Sequence, residues 1–454
     1  MAIVETHIEI DTNFEKHIND NKVPLNYTES IKYKNWIEKG KKAEIYQLPL
    51  EYVRFRKENG RIKDDIITYE ATKGVLDPND NETQQLIGSF LKAKDPKASE
   101  KLKKLITADG QREAAVMTAD GFLINGNRRK LALNELYKSS SQDEAFRFIN
   151  VAILPGTKEA ERPTYQDIAK LENRYEVNED GKSSFTLMNK ALSFIYYERE
   201  QKIEIETLLR DDSLFKNLSE KEFKAKVKKY KQDYIDPVRL MEKYLAQNNS
   251  SGNFKKINDK YASFQEAQDF FTKLDDNNFL VKNKIDPIDV GQIQSAVFNI
   301  IKLKNHGDIE KRHNELIRQI PKYIKNNKND ILRIGKIDHL NPDPNTEDQD
   351  ENDRAWDQNE AKEVLNILKK CKNELERKED QQGPIDRLEE IIKKLKHKDL
   401  DQKQIERIPY SNILTANELA TEIQNLAKRI ASDFYDLKKR GDKSQLTKKF
   451  PNKH

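Results

Sequence analysis

The arrangement of apolar and polar residues changes character near residue 163. Before it, short runs rich in β-branched residues alternate with amphipathic stretches, and turn dipeptides such as Asn59-Gly60 and Asp120-Gly121 bound those runs. The pattern predicts strands over residues 44–50, 116–118, 122–125 and 148–154, with helices over 82–92 and 129–138. We therefore expect an α+β domain over residues 43–162, preceded by an N-terminal arm over 1–42.

Beyond residue 163 the apolar residues recur almost entirely at helical intervals. Ser219 and Glu222 have the spacing of a capping box, which predicts the start of a helix. Along that helix one face is apolar and aromatic, with Phe223, Val227, Tyr230 and Tyr234. The expected fold class is therefore an α+β N-terminal domain followed by mostly α-helical domains.

Composition divides the helical part further. A helical region over 163–247 ends at a turn-rich run, and a basic helical region over 248–337 follows it. Residues 338–353 hold seven acidic residues and neither Lys nor Arg, so 338–358 is interpreted as a flexible acidic linker. Residues 441–454 form a basic tail.

Three narrow apolar stripes lie between the linker and the tail, over residues 359–440. The first contains Val364, Ile367, Leu368, Cys371 and Leu375, the second Ile385, Leu388, Ile392 and Leu395, and the third Leu419, Ile423, Leu426, Ile430 and Leu437. The third keeps nearly heptad spacing. The stripes predict a helical bundle that associates with itself or with a protein partner.

The amino-acid composition favours some classes of protein and excludes others. Charged residues make up 35% of the 454 residues, while Gly and Pro are scarce at 15 and 14, which favours long helices over a turn-rich β protein. The net charge of +4 is too small to indicate a polyanion partner. A single cysteine, Cys371, excludes an intrachain disulfide and is expected to be a core residue. With no 18-residue apolar stretch, we expect a cytoplasmic protein without a membrane span.

The stretch with the clearest chemistry is the strand-to-helix corner at residues 125–129. Gly126 follows a predicted strand, and Asn127, Arg128 and Arg129 then open a helix. Glycine lets an anion approach the backbone, the helix start offers free N–H groups, and arginine binds phosphate through two hydrogen bonds. The same residues also fit an ordinary tight turn with two solvated arginines.

The order of motifs around this corner resembles the ParB/sulfiredoxin-like superfamily, the N-terminal domain of ParB-type partition proteins. The matching segments are Tyr46-Gln47-Leu48-Pro49-Leu50, Asn59-Gly60-Arg61, Asp109-Gly110-Gln111 and Gly126-Asn127-Arg128-Arg129-Lys130-Leu131-Ala132. The resemblance covers about 110 residues. It implies a nucleotide site formed by Gly110, Gln111, Gly126, Asn127, Arg128 and Arg129.

A later helix in such partition proteins carries an E-N-x-x-R motif that completes a nucleotide–magnesium site. Glu172, Asn173 and Arg174 stand in its place here, although the residue four after Glu172 is Glu176 and not an arginine. The resemblance implies that Glu172 holds Mg²⁺ as the catalytic residue, and that Asn173 and Arg174 contact the nucleotide. Alternatively, these are surface charges on a helix. Sulfiredoxin chemistry is excluded because the corner has no cysteine.

In the ParB family a helix-turn-helix region follows the nucleotide domain, and here the helices of residues 163–247 take that position. Four lysines at helical intervals share one face of the helix that Ser219 begins: Lys221, Lys224, Lys228 and Lys231. That face either contacts DNA phosphates or is solvated surface.

The combined expectation is a nucleotide-dependent DNA-binding protein. Binding of CTP or ATP with Mg²⁺, and slow hydrolysis, would gate DNA engagement in plasmid or chromosome partition or in antiphage defence. Two alternatives remain open: a ParB-family DNA nuclease of a defence or modification system, and a non-catalytic adaptor with a degenerate ParB-like domain.

Overall fold

A computed structural model describes residues 6–139, 143–177, 186–210, 212, 215, 217–304, 312–337 and 349–449. The chain divides into two compact units, Met1–Lys372 and Asn373–His454. Within the described ranges, no helix combines the length and the apolar character needed to cross a membrane.

A mixed five-stranded sheet organises the first part of the first unit. Its strands are β1 (Val23–Glu29), β2 (Ala43–Pro49), β3 (Ala115–Met117), β4 (Leu123–Asn125) and β5 (Phe148–Ile153). They lie in the order β1-β2-β5-β3-β4, and β3 pairs in parallel with β5 while the other pairs are antiparallel. A parallel bridge from Arg54 to Phe122 covers the outer edge of β4.

Helices cover both faces of this sheet. They are α1 (Thr12–Asn21), α2 (Lys63–Lys73), α3 (Asn81–Lys94), α4 (Pro96–Asp109), α5 (Asn127–Ser139) and α6 (Tyr165–Val177). Strand side chains alternate between faces, so Met117 packs with helices α1–α5 while Val116 packs with Ile168 and Leu171 of α6. The edge strand β4 therefore lies between the start of α5 and the side of α6.

The predicted α+β start followed by helices is confirmed. All four predicted strands and both predicted helices end within two residues of the observed bounds. The predicted N-terminal arm is instead built into the domain, because α1 buries Ile18 in its core and β1 pairs with β2. A polar segment of this kind gives little periodic signal, since β1 is an exposed edge strand.

The helical remainder of the first unit begins at residue 187. Its helices are α7 (Leu187–Glu200), α8 (Ile205–Leu209), α9 (Glu220–Tyr230), α10 (Asp236–Gln247), α11 (Tyr261–Leu274), α12 (Asn277–Asn283), α13 (Val290–Lys302) and α14 (His313–Lys336). The predicted capping box is present, since the Ser219 N–H donates to Glu222 and the Glu222 N–H donates back to Ser219 Oγ. A π-helical turn, Lys231–Ile235, joins α9 to α10.

The segment predicted as a flexible acidic linker is partly helical. Residues 338–348 lie outside the described residues, and α15 (Gln349–Gln358) follows them. Two of its acidic residues are paired, with Asp353 2.9 Å from Lys256 and Asp357 2.5 Å from Lys304. Because lysines more than 45 residues away neutralise these charges, α15 packs against the unit and buries Trp356 completely.

The first of the three apolar stripes also belongs to the first unit. It opens helix α16 (Glu360–Leu395), where Val364, Leu368 and Cys371 are buried, as expected for the single cysteine. The boundary between units therefore falls at Lys372, within α16, and not at the acidic segment.

The second unit contains the rest of α16, α17 (Gln402–Ile405) and the 40-residue helix α18 (Tyr410–Lys449). The second and third stripes are exposed, so the unit described by itself is not a closed bundle. Part of the predicted basic tail continues α18, and residues 450–454 lie outside the described residues.

Candidate functional site

A cavity of about 170 Å³ opens beside β4, between the β3–β4 turn, α6 and α7. Its polar lining is Glu9, Arg56, Glu58, Thr118, Asp120, Tyr165, Tyr196 and Tyr197, and its apolar lining is Ile8, Pro78, Phe122 and Ile168. Carboxylates, one guanidinium and several rings therefore face a common space. Such a mixture of apolar walls with a few convergent polar groups is typical of small-molecule sites.

Arg56 in the cavity wall is held by two partners from distant helices. Its Nη2 donates to Glu172 Oε2 of α6 at 2.8 Å and to the Tyr197 hydroxyl of α7 at 3.1 Å. The side chain is only 11% exposed. Charge-assisted bonds of this kind fix a guanidinium in one orientation.

Glu172 has donors on both of its oxygens. Besides Arg56, the Tyr197 hydroxyl donates to Oε2 at 3.2 Å, and the Gly60 N–H donates to Oε1 at 3.0 Å. Gly60 belongs to the Asn59-Gly60-Arg61 turn, so this carboxylate joins three segments that are far apart in the sequence. The interpretation of Glu172 as a solvated surface charge is therefore wrong, since the residue is 7% exposed.

Burial controls the protonation of the groups around Arg56. It raises the pKa of Tyr197 well above its usual range and the pKa of Tyr196 to about 12, so both hydroxyls stay protonated donors at neutral pH. Burial also lowers the pKa of Lys63 to about 8, and its Nζ lies 3.4 Å from the centre of the Tyr196 ring.

The β3–β4 turn presents Asp120 in a fixed position. Thr118 Oγ1 donates to Asp120 Oδ1 at 2.6 Å, and the Asp11 N–H donates to Oδ2 at 3.1 Å. Arg54 Nη2 donates to the Asp120 carbonyl at 2.5 Å. Since loops within a rigid frame of hydrogen bonds hold functional groups accurately, Asp120 is preorganised at the cavity rim.

The predicted strand-to-helix corner has the expected backbone. Gly126 has φ +99°, and a Cβ there would lie 2.4 Å from the Ala115 Cβ, so the position requires glycine. The 13-residue helix α5 begins at Asn127. Asn127 is 92% buried, and its Oδ1 has no hydrogen-bond partner among the described residues.

The arginines of that corner have contacts within the protein. Arg129 Nη1 donates to the Ala114 carbonyl at 3.0 Å, and its Nη2 donates to Glu113 at 2.7 Å. Arg128 is half-buried and also has interactions within the described structure. In this conformation Arg129 anchors the start of β3 to α5.

Gly110 and Gln111 also support the start of β3. Gly110 ends α4 with φ +73°, and its N–H donates to the Ile106 carbonyl. Gln111 Nε2 donates to the Asn150 carbonyl at 2.7 Å, and Oε1 accepts from the Asn150 N–H at 2.9 Å. The pair of bonds clamps the loop to β5.

Asn173 and Arg174 lie on other sides of α6 than Glu172. Arg174 Nη1 donates to the carbonyls of Lys32 at 2.9 Å and Lys34 at 2.6 Å, so it holds the segment before β2. Asn173 is 4% exposed, and its Nδ2 has no hydrogen-bond partner among the described residues. Glu172, Asn173 and Arg174 are therefore each buried or hydrogen-bonded, but they do not share the same neighbours.

The groups around Glu172 do not form a Mg²⁺ site in this arrangement. A hard cation needs carboxylate or carbonyl oxygens that are free to coordinate it. Here the nearest partner of Oε2 is already a guanidinium cation, and a second cation beside it would be repelled. Across the described residues, no group of three or more His, Cys, Asp and Glu side chains is placed to hold a metal ion.

The predicted lysine face of α9 is present in part. Lys221, Lys224 and Lys228 are exposed, whereas Lys231 lies in the π-helical turn, half-buried and 2.7 Å from Glu206. Lys231 therefore differs from the other three lysines because it has an ion pair with Glu206 and is less exposed.

Sequence reasoning missed most of the cavity. Arg56, Glu58, Asp120, Tyr196 and Tyr197 line the cavity but are not among the site residues that the sequence predicts. The available signal is in two turn dipeptides: Asn59-Gly60 follows Glu58, and Asp120-Gly121 contains Asp120. Turn residues near a strand edge are frequent positions for functional side chains.

Comparison with known proteins adds no assignment to this geometry. No protein-family model matches the chain, no curated protein matches it, and no solved structure matches it.

Proposed function

We propose that the α+β part of the first unit binds a nucleotide, with the base in the cavity and the phosphates on the side of Arg56. The observation that carries this proposal is the guanidinium of Arg56, held in the cavity wall by Glu172 and Tyr197. A fixed guanidinium is the group that proteins use most for bidentate phosphate binding.

The size and lining of the cavity favour a nucleobase as the other half of the ligand. At about 170 Å³ it is smaller than the roughly 300–1,000 Å³ of pockets for whole drug-sized molecules, so it accommodates one ring system. Aromatic side chains such as Tyr196 provide stacking surfaces for bases. Glu58 and Asp120 are acceptors, which favours a base that carries an exocyclic amino group.

In this proposal Glu172 is a positioning residue. Its carboxylate orients Arg56 and balances its charge, and the ligand meets Arg56. Magnesium binding through Glu172 stays a prediction from the sequence.

We further propose that the nucleotide regulates DNA binding through α9, where Lys221, Lys224 and Lys228 are exposed. This part rests on the resemblance to ParB-type proteins together with that lysine face. The nuclease alternative stays a prediction.

A non-catalytic adaptor is the second candidate. Its support is that Gln111, Arg129 and Arg174 all bond to main-chain carbonyls, so the motif residues stabilise the fold directly. Binding without turnover would favour this candidate, and hydrolysis would favour an NTPase.

Equilibrium binding of labelled CTP, ATP, GTP and UTP to the full chain tests the proposal. Glu58→Gln should weaken the three nucleotides with amino groups by about tenfold and UTP less, since one charged hydrogen bond is worth roughly 1.5–3 kcal/mol. Glu51→Gln is the matched control, because Glu51 is 58% exposed and does not line the cavity. No binding of any nucleotide, or equal affinities in Glu58→Gln and wild type, would contradict the proposal.

Glu172→Gln separates positioning from metal binding. If the carboxylate orients Arg56, the substitution should weaken nucleotide binding by a similar factor in Mg²⁺ and in EDTA. A loss seen in Mg²⁺ alone would restore the magnesium role. Thermal melting of the variant without ligand shows whether the domain still folds, since a buried arginine left without its partner is destabilising.

A further inference from the structure

The longest helix of the second unit presents an apolar stripe to solvent. Helix α18 has 40 residues, about 60 Å of helix, and Leu419, Ile423, Leu426 and Leu437 on it are 42–60% exposed. Together with Ile430, these residues are separated along the chain by four, three, four and seven positions. That spacing is typical of the contact seam of a coiled coil, in which a second helix covers the stripe.

The residues beside the seam have an unusual distribution. With Ile423, Ile430 and Leu437 at heptad position a, and Leu419 and Leu426 at d, the e positions are apolar and the g positions after Thr415 are charged. The e residues are Ile413, Ala420, Ala427 and Phe434, and the g residues are Glu422, Arg429 and Asp436. A parallel dimer pairs g with e, so it would place Glu422 and Arg429 against Ala427 and Phe434, with no ion pair.

We propose that α18 pairs antiparallel with α18 of a second copy of this chain. In an antiparallel pair, g residues meet g residues and e residues meet e residues. Placing Ile423 against Leu426 of the second copy also places Leu419 against its Ile430. The same register puts Glu422 against Arg429 of the second copy, Ala420 against its Ala427, and Ile413 against its Phe434. In this register Glu422 and Arg429 lie against residues of opposite charge, and the apolar e residues lie against apolar residues.

Charge selects this register over its neighbours. Sliding one helix by one heptad in one direction would bring Arg429 against Arg429 and Glu422 against Asp436. Sliding it the other way would bring Glu422 against Glu422. Like charges at flanking positions are destabilising, so each alternative loses two attractive pairs and gains repulsion.

The ends of the seam support the same alignment. Asp433 meets the small Ala416, and Asn412 meets Leu437, so polar side chains lie only outside the four central apolar layers. The two helices then overlap from Tyr410 to Lys439, a length of about 45 Å.

The first test is the mass of the full chain by sedimentation equilibrium. We expect twice the 53.1 kDa of one chain at tens of micromolar protein. Arg429→Glu should weaken the dimer roughly tenfold, because two attractive pairs become repulsive, and the double variant Glu422→Arg with Arg429→Glu should restore it. Lys428→Glu, the same charge reversal at the outer f position, should change nothing. A monomer, or a dimer unaffected by Arg429→Glu, would overturn the proposal.

Cysteine cross-linking tests the orientation. In a Cys371→Ser background, a mixture of Ile423→Cys and Leu426→Cys chains should form a disulfide-linked dimer on oxidation, while Ile423→Cys alone should not. Efficient cross-linking of Ile423→Cys to itself would show a parallel pair and overturn the antiparallel arrangement.

Discussion

The buried cations Arg56 and Lys130 have different partners, and burial therefore affects their charge differently. Arg56 has an ion pair with Glu172 at 2.8 Å, whereas Lys130 on α5 has the Val53 carbonyl and the Phe55 ring, with its Nζ 4.2 Å from the ring centre. Neither neighbour of Lys130 carries a negative charge. Burial, together with the positive charge of Arg54, therefore lowers the pKa of Lys130 to about 7.

Lys130 should make stability depend on pH. In the unfolded chain a lysine holds its proton up to a pKa of about 10.4, so between pH 7 and pH 9.5 the unfolded state binds more protons than the folded state. The free energy of unfolding should therefore rise over this interval, by on the order of 1–3 kcal/mol from this residue. Lys130→Met should flatten the rise. Urea denaturation at the two pH values measures it.

Lys138, exposed on the same helix, provides the control. Lys138→Met should leave the pH dependence as it is in wild type. Equal slopes in wild type and Lys130→Met would show that Lys130 is charged in the folded state at pH 9.5.

Helix α9 shows what a periodic pattern predicts within one element. The burial of Phe223 and Val227 and the exposure of Lys221, Lys224 and Lys228 follow from the 3.6-residue period. The capping box follows from the three-residue spacing of Ser219 and Glu222. Lys231 departs from the pattern in its exposure, because it pairs with Glu206 at 2.7 Å, and a π-helical turn starts there. Nothing in the local sequence marks that turn, and it lies where α9 passes into α10.

The three exposed lysines should give DNA binding a salt dependence. Each phosphate neutralised contributes about −0.9 to the slope of log affinity against log salt, so Lys224→Gln with Lys228→Gln should flatten the slope by about two. The loss should be similar on unrelated DNA sequences, because phosphate contacts carry no base information. Fluorescence anisotropy titrations at several salt concentrations, with nucleotide present, measure it.

Lys101 and Lys104 on α4 are an exposed pair outside α9, and their double glutamine variant is the control. If that variant flattens the slope as much as the α9 variant, the effect is one of net charge. If neither variant alters it, α9 is solvated surface.

At the scale of the whole molecule, the extent of the first unit differs most from expectation. Trp356 lies within the predicted acidic linker and Val364, Leu368 and Cys371 lie beyond it, but all four are buried in the first unit. Apolar stripes alone do not show which partner covers them, since a helix in a bundle and a helix against a domain have the same periodicity.

Truncation separates the two possible boundaries. A chain ending at residue 377 keeps these buried side chains and should melt close to the full-length first transition. A chain ending at residue 348 lacks them, and losing several large buried side chains should reduce stability by on the order of 5 kcal/mol or more. Thermal melting followed by circular dichroism compares the two chains. Equal melting temperatures would mean that α15 and the start of α16 are not part of the first unit's core.

Features that depend on residues close together in the chain could be predicted from the sequence alone. The bounds of β2–β5, α3 and α5, the capping box and the burial of Cys371 were predicted from the spacing of nearby residues. The cavity depends on contacts over long separations. Arg56 meets Glu172 across 116 residues and Tyr197 across 141, because the edge of β4, α6 and α7 pack together. No periodicity encodes which charged residue of one element will face which of another. That pairing follows from burial, which makes an unpaired charge expensive and leaves each buried cation with the carboxylate or ring that the packed elements bring to it.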